Sequence, residues 1–389
     1  MPEESTTSGP PGKPSTPSTP STPSTPGNAV EVRDEDAFDV EALAEWLREH
    51  TTDEPGIDAT PEVRQFKGGA SNLTYLLRYP TRDLILRRPP GGTKAKGAHD
   101  MRRESDIQAS LGHVYDQVPT IVAHCGDESV IGSEFYVMER LVGTILRRDI
   151  PASLGLSWDG VNLLCHNALD TLVDLHRVDV TAAGLDGLGK GDGYVERQVK
   201  GWAARYRKAR TPNVGSFEGV MAWLEDNRPE DTGQVLIHND FRFDNLVLAE
   251  GDPTRIVGVL DWEMATVGDP LMDLGGAMAY WVQASDDPVA KALRLQPTHT
   301  PGMLTRIEAV RYYCDSMGIP MDAERWAFYE VFGLFRLAVI AQQIYLRTYR
   351  GETTNPQAKR MRWFVLYLDL RCRALVRQHR RATRRAGRR

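Results

Sequence analysis

The chain has 389 residues, is 41% hydrophobic and carries a formal net charge of −6. That length suits one large domain or a two-lobed one with ample core, and the hydrophobic content is ordinary for a soluble protein. Four cysteines, Cys125, Cys165, Cys314 and Cys372, stand too far apart for zinc spacing or a disulfide framework, which points to a reduced, cytoplasmic setting. No run approaches the roughly 20 apolar residues of a membrane helix, and no basic region precedes an apolar core at the start, so neither a membrane partner nor secretion is expected.

Residues 1–30 form a Ser/Thr/Pro-rich tail with almost nothing apolar to bury, and disorder is expected there. Asp39 to His50 places Leu43, Ala44, Trp46 and Leu47 at helical spacing. Arg64 to Phe66 and Leu73 to Leu77 read as two strands. The small-residue turn between them, Gly68, Gly69, Ala70, Ser71 and Asn72, leaves backbone N–H groups open to a phosphate. A third strand, Leu84-Ile85-Leu86, ends in Arg87 and Arg88. Glu104, Ile107 and Leu111 share one face of the helix that follows. Pro119 to Ala123 and Glu134 to Leu141 are further strands, the second becoming polar toward Gly143.

From residue 160 the pattern turns helical. Leu163, Leu164, Ala168, Leu172, Val173 and Leu175 make an apolar face that His176 ends, and a satisfied helix-end histidine fits there better than a ligand. Gly184 to Lys190 spells G-x-x-x-x-G-K, but Gly191 follows where a phosphate loop needs Ser or Thr, and a helix precedes it instead of a strand. Trp326 to Tyr349 is a long helix with Arg336, Gln342, Gln343 and Arg347 on an apolar scaffold, which suggests a pocket wall on the substrate side. Nine arginines beyond residue 370 give the acidic body a basic end, expected to be a solvated helix end and frayed terminus. No nucleic-acid partner is expected.

The most informative stretch is 235–274. Val-Leu-Ile leads into His238-Asn239-Asp240, then Arg242 and Asn245; Asn245 to Leu248 and Ile256 to Leu260 look like strands joined at Glu250 to Pro253; and Asp261-Trp262-Glu263 follows. A hairpin of that length returns its ends to one place, so Asn245 and Asp261 are expected near one point with Asp240 close by. Phosphoryl transfer from ATP needs such a set: an Asp for the attacking hydroxyl, and an Asn and a second Asp as hard oxygen ligands for Mg²⁺. Beyond it, Asp269 reads as a helix N-cap with Pro270 at the first helical position, and Asp273 as a loop brace.

His238 to Asn245, Asp261-Trp262-Glu263 and Gly268-Asp269-Pro270 with Asp273-Leu274 resemble the aminoglycoside phosphotransferase family of small-molecule kinases. The branch they are most similar to is related to the kinase-like domain of some acyl-CoA dehydrogenase fusion proteins, a likeness that Tyr194 to Gln198 shares. The family's commoner loop has Gly where this chain has Asn239, and His where it has Arg242. The resemblance implies an α+β, bilobal, protein-kinase-like fold. A small lobe with an antiparallel sheet would span 31–140, a mostly helical lobe 141–373, and a basic tail 374–389, with ATP and Mg²⁺ between the lobes. It implies Asp240 as catalytic base or orienter, Arg242 steadying the transferred phosphate, and Asn245 and Asp261 on the metal. It places Gly68, Gly69, Ser71 and Asn72 over the phosphates, Arg87 in the place of the usual Lys with Glu104 as its partner, and Glu139 to Leu141 at the adenine. A one-residue shift would hand the lysine's place to Arg88. The acceptor is then a small-molecule hydroxyl, on a hydroxy acid or its CoA ester. The rivals are an aminoglycoside-type antibiotic kinase and a nucleotide-binding pseudokinase regulator. No dehydrogenase domain fits this length, so that activity is not expected.

Overall fold

The computed structural model describes residues 29–51, 54–66, 72–90, 100–320 and 323–386. Its described residues fall into two compact units. One runs up to Pro90 and takes in Cys125–Val137; the other holds residues 100–124 and everything from Met138 on. The chain crosses between units inside two strands, a different division from a single cut at residue 140.

The smaller unit starts with β1 (Ala29–Val30) and α1 (Val40–His50), followed by β2 (Glu62–Phe66), β3 (Leu73–Arg78) and β4 (Asp83–Arg88). Asp39 caps α1 by accepting a hydrogen bond from the Ala42 N–H at 3.0 Å, and Leu43, Ala44 and Leu47 are buried as their spacing requires. β1, β2, β3 and β4 pair antiparallel in that order, with Leu76 opposite Ile85. The two crossing strands, β5 (Ile121–Cys125) and β6 (Phe135–Glu139), complete the order β1-β2-β3-β4-β6-β5. Ala29 pairs with Phe66, so the sheet begins just inside the stretch read as a tail.

Alternation along β4 separates its two arginines. Arg88 is 8% exposed. Its guanidinium donates to Tyr75 Oη at 3.1 Å and to the Asp36 carbonyl, and lies 5.1 Å from the centre of the Phe38 ring. Arg87 sits opposite Thr74 and is half-buried. A guanidinium spent on its own core is a poor candidate for a phosphate, so the alternative register is disfavoured.

The larger unit opens with α2 (Met101–Leu111), capped by Asp100, and contains β7 (Gly143–Thr144), α3 (Trp158–His176), α4 (Tyr194–Ala209) and α5 (Glu218–Asp226). Next come β8 (Val235–Ile237), β9 (Leu246–Ala249), β10 (Asp252–Val259), β11 (Thr266–Gly268), α6 (Pro270–Ala279), α7 (Pro288–Leu293), α8 (Arg306–Met317), α9 (Ala323–Tyr349) and α10 (Pro356–Ala386). Its core is one continuous apolar cluster built from α3, α4, α6, α8, α9 and α10 around the two short sheets β10-β9-β7 and β11-β8. Over Glu324–Tyr349, α9 is long and apolar enough to cross a membrane by length and composition, closer to that limit than the sequence suggested. Its apolar window is 72% buried within the protein, as befits a core helix. Gly333 on α9 lets it touch α6: a Cβ there would collide with the Gly275 carbonyl.

Two expectations change. The basic end is a solvated helix end as expected, but it begins packed: α10 continues to Ala386, Val376 is 6% exposed, and His379 lies edge-on to Trp223 at 5.1 Å. Its amphipathic side was hidden by the density of arginines. Nor does α9 present a polar pocket wall. Gln342 is fully buried and donates to the Ala209 carbonyl at 2.9 Å, while Gln343 and Arg347 are exposed.

Candidate active site

The 235–274 stretch folds as a strand, a braced loop, a hairpin and a helix. β8 pairs antiparallel with β11, Ile237 opposite Thr266, which fixes where the chain enters the loop at His238. Phe243–Asn245 form a single 3-10 turn that feeds β9, and Asn245 is 8% exposed. The β9–β10 hairpin sets Val259 opposite Leu246, and one step further the Leu260 N–H donates to the Asn245 carbonyl at 2.8 Å. That bond puts Asn245 and Asp261 at adjoining positions, as the hairpin length implies. Asp261 is left-handed, φ 70° and ψ 63°, and turns the chain sharply into Trp262–Met264. A non-glycine residue held there stores strain that its surroundings must hold, and Trp262 does so, fully buried with its indole N–H on the Val259 carbonyl at 2.9 Å.

Asp240 is fixed from two sides. Asn245 Nδ2 donates to the Asp240 carbonyl at 2.9 Å and to its carboxylate at 3.2 Å. Arg242 Nε lies 3.5 Å from Asp240 Oδ1 while its Nη2 donates to Asp244 at 2.8 Å, and the guanidinium stacks 4.7 Å over Tyr280. Burial opposes the Arg242 charge, but Asp240 and Asp244 more than compensate and raise its pKa. Burial pushes Asp244 up. With Nδ2 committed to Asp240, the Asn245 Oδ1 is the atom left for a cation. Behind Arg242 lies an enclosed cavity of about 20 Å³ bounded by Phe241, Leu246, Trp281 and Gln296, large enough for one water and too small for a substrate.

Beneath the loop lies a buried bracket. Asp273, on the first turn of α6 and 1% exposed, accepts the N–H groups of His238 and Asn239, each at 2.8 Å. His176 Nε2 meets the same carboxylate at 3.1 Å, and its Nδ1 bonds the Tyr313 hydroxyl. Burial disfavours the Asp273 charge, yet the His176 and backbone bonds hold its pKa below the ordinary value. Asp269 caps α6, accepting from Met272 N at 2.9 Å. The readings of Asp269 as N-cap, Asp273 as brace and His176 as a satisfied helix end are thus observed. Asn239 has φ 64°, where glycine is at ease and Asn is tolerated. Its carbonyl accepts from Arg336 at 2.5 Å and its side chain bonds the Met264 carbonyl at 3.1 Å. Arg336, expected on the substrate side, therefore braces this loop; a lone arginine on an apolar helix gave no sign of that target.

Glu139 ends β6, and its N–H bonds the Thr120 carbonyl at 2.8 Å. Leu141 packs on the hairpin, where a Cβ at Gly258 would collide with it. The segment expected at the adenine and the residues expected at the metal are thus mounted on one sheet through β7 and β9. Glu104 is 1% exposed on α2, and Asn72, 2% exposed, precedes β3. Gly68, Gly69 and Ser71 lie outside the described residues. Among the described residues no group of three His, Cys, Asp or Glu side chains could hold a metal alone. Two hard oxygen donors, Asn245 and Asp261, fit Mg²⁺, which typically takes one or two protein ligands and completes its shell with phosphate and water.

An antiparallel-sheet unit, a mostly helical unit, and a loop and hairpin presenting Asp, Asn and Asp define a phosphotransferase of the protein-kinase-like type. Residues 62–304 match the family described as the phosphotransferase enzyme family, and the chain belongs to it. Acyl-CoA dehydrogenase family member 10 of Mus musculus is 36% identical over 77% of this chain and 28% of its own length. Family member 11 of Homo sapiens is 32% identical over 84% and 41%. The chain spans less than half the length of these curated relatives. A Ralstonia eutropha structure, itself provisionally assigned as an aminoglycoside phosphotransferase, superposes with TM-score 0.74 at 28% identity over 88% of this chain and 99% of that one. Choline kinase from Cryptosporidium parvum shares the fold alone: TM-score 0.58 and 11% identity over 90% of this chain and 97% of that one.

Proposed function

We propose that the protein transfers the γ-phosphate of ATP to a hydroxyl of a small hydroxy acid or its CoA ester. The observation that carries this reading is the joint fixing of Asp240 by Asn245 and Arg242, next to the hairpin that brings Asp261 beside Asn245. Asp240 receives or orients the proton of the acceptor hydroxyl. The oxygen it frees forms the new bond to phosphorus as the bond to the β-phosphate oxygen breaks and ADP leaves. Arg242 orients Asp240 and lends positive charge to the developing phosphoryl oxygens. Asn245 Oδ1 and Asp261 would hold Mg²⁺, which when bound neutralises the phosphates. Arg87 and Glu104, the 68–72 turn, and the Glu139–Leu141 backbone are assigned to the nucleotide, and residues 31–140 to the small lobe of the working enzyme. A family member filling each of these positions is better read as an enzyme than as a pseudokinase. The acceptor class is supported by the curated relatives, which bear acyl-CoA dehydrogenase names.

The test is ADP release above the no-acceptor background for a panel of hydroxy acids, hydroxyacyl-CoAs, sugars and aminoglycosides. Turnover restricted to the first two groups is the expected result. Turnover on an aminoglycoside alone would replace the reading with an antibiotic kinase. Mg-ATP binding without turnover on any acceptor would favour a nucleotide-binding regulator.

A further inference from the structure

The catalytic loop does not end in neutral surface. From Asp240 the contacts run to Arg242 at 3.5 Å, to Asp244 at 2.8 Å, and on to Arg147 at 4.0 Å. Arg147 and Arg148 are consecutive and exposed. Asp149, next in the chain, meets Arg294 Nη2 at 2.6 Å and His299 Nε2 at 3.8 Å. The segment 294–299 is in turn pinned to the loop, because Gln296 Oε1 accepts the Phe243 N–H at 2.9 Å. Arg147 thus stands two side chains from Asp240, and Arg148, Lys291 and Arg294 cluster with Asp149 around His299, itself a cation when protonated. Asp149 alone among the acidic groups named faces Arg294 and His299.

Two further observations bear on this surface. Several buried donor-bearing atoms have no hydrogen-bond partner among the described residues: Gln296 Nε2, Arg294 Nε and His299 Nδ1. Gln296 is 2% exposed and lines the one-water cavity behind Arg242, with its Oε1 accepting the Phe243 N–H. Buried donors are normally paired, and unpaired ones mark sites of ligand or water. The cations are also interleaved with exposed apolar side chains: Val289 and Leu293, one turn apart on α7, and Leu295, exposed by 49%, 37% and 52%. His299 has its pKa lowered, by burial first and then by Arg294, with Asp149 opposing and Lys291 and Arg148 adding to the lowering, which reports a locally positive field. Polycationic acceptors would be repelled here.

We propose that Arg147, Arg148, Arg294 and His299, with the apolar side chains of Val289, Leu293 and Leu295, form the acceptor subsite that takes an anionic group attached to an acyl or pantetheinyl chain. This rests on the phosphotransferase reading and adds the residues that select the acceptor. The anion is a carboxylate or a phosphate, both served by guanidinium groups.

The experiment separates the subsite from the chemistry. Calorimetry measures binding of CoA, pantetheine and 3-hydroxybutyrate to the full chain, alongside Mg-ATP. The double variant Arg147→Glu/Arg148→Glu alters two exposed side chains and should fold; Arg294→Gln provides a second probe. CoA, or 3-hydroxybutyrate if the carboxylate is the group read, should bind the wild type. The double variant should weaken that binding about tenfold, equivalent to about 1.4 kcal/mol, with Mg-ATP affinity unchanged. Where 3-hydroxybutyryl-CoA turns over, Arg294→Gln, whose ion pair is with Asp149 and not with the Asp240–Arg242–Asp244 chain, should raise KM at constant kcat. Loss with CoA but not 3-hydroxybutyrate assigns phosphate; the reverse assigns carboxylate. Binding of neither, binding unaffected by either variant, or equal loss of Mg-ATP binding would overturn the subsite. Patch-dependent CoA binding without turnover would keep the subsite and remove the kinase reading.

Discussion

Asp240 and Asp273 serve the same loop and lie in opposite circumstances. Asp273 is 1% exposed, with its carboxylate engaged by two backbone N–H groups and His176. The Asp240 side chain is 25% exposed and held by one amide and one guanidinium, leaving an approach from solvent. The contrast shows how the loop can leave one carboxylate partly open, the one proposed to do the chemistry. Its backbone direction is set from below by a buried acceptor, and Asn239, left-handed and tied to Arg336 and Met264, carries the turn. The reactive group then needs few restraints of its own.

The largest effect should come from the working side. Asp240→Asn keeps the shape and the Asn245 contact to the carbonyl but removes the proton acceptor, so turnover should fall roughly 10²–10⁴-fold. Mg-ATP affinity by calorimetry should survive. Asp261→Asn should weaken Mg-ATP binding and rate together, with added Mg²⁺ restoring part of both. Equal loss of Mg-ATP binding in the two variants would make Asp240 structural and dissolve the contrast.

The bracing side should answer in stability. Asp273→Asn leaves two backbone donors and His176 facing an amide, and losing one partner of a buried charged pair costs about 3–5 kcal/mol. A lowered folded-state pKa means that Asp273 contributes stability above its unfolded value, near 3.9, and loses it as pH falls through the folded value. Thermal melts from pH 3 to 7 should show the wild type losing stability below about pH 4. The variant should start lower and lack that portion of the acid loss. A variant with wild-type melting and reduced turnover would move Asp273 to the chemical side.

What the sequence disclosed follows the same division. That Asp240, Asn245 and Asp261 come together was legible because the hairpin restricts spacing. Asp269 and Asp273 were legible because helix N-termini have a residue signature. Arg336 was misread, since its target is a backbone carbonyl 97 residues away and a main-chain acceptor leaves no mark on side-chain pattern. The end of α10 was misread for a different reason: Ala374-Leu375-Val376 is a short apolar run set between arginines, and only the packed partner shows that Val376 is inside. The segment 294–299 has no motif, and its cations converge on the loop only through a fold that joins residues 149 and 294.

The smallest effect tests the contrast on a second pair, the adjacent arginines of β4. Arg88 is the braced member: it donates to Tyr75 and to the Asp36 and Ile131 carbonyls, and faces two aromatic rings. Arg88→Ala removes charged hydrogen bonds worth about 1.5–3 kcal/mol in total context and leaves acceptors buried, so the melting temperature should fall. Mg-ATP affinity, measured below the transition, should stay near wild type. Arg87 is the member proposed to meet the nucleotide, and Arg87→Ala should weaken Mg-ATP with little change in melting. Lys at 87 should recover much of that affinity, since a point charge can still reach phosphate oxygens without the guanidinium fork. Lys at 88 should not recover stability, because the fork geometry that reaches Tyr75, Asp36 and Ile131 together is lost. Reversal of the two phenotypes would place the nucleotide contact on Arg88 despite its core bonds. Wild-type Mg-ATP binding in both variants would mean that neither arginine takes the lysine's place.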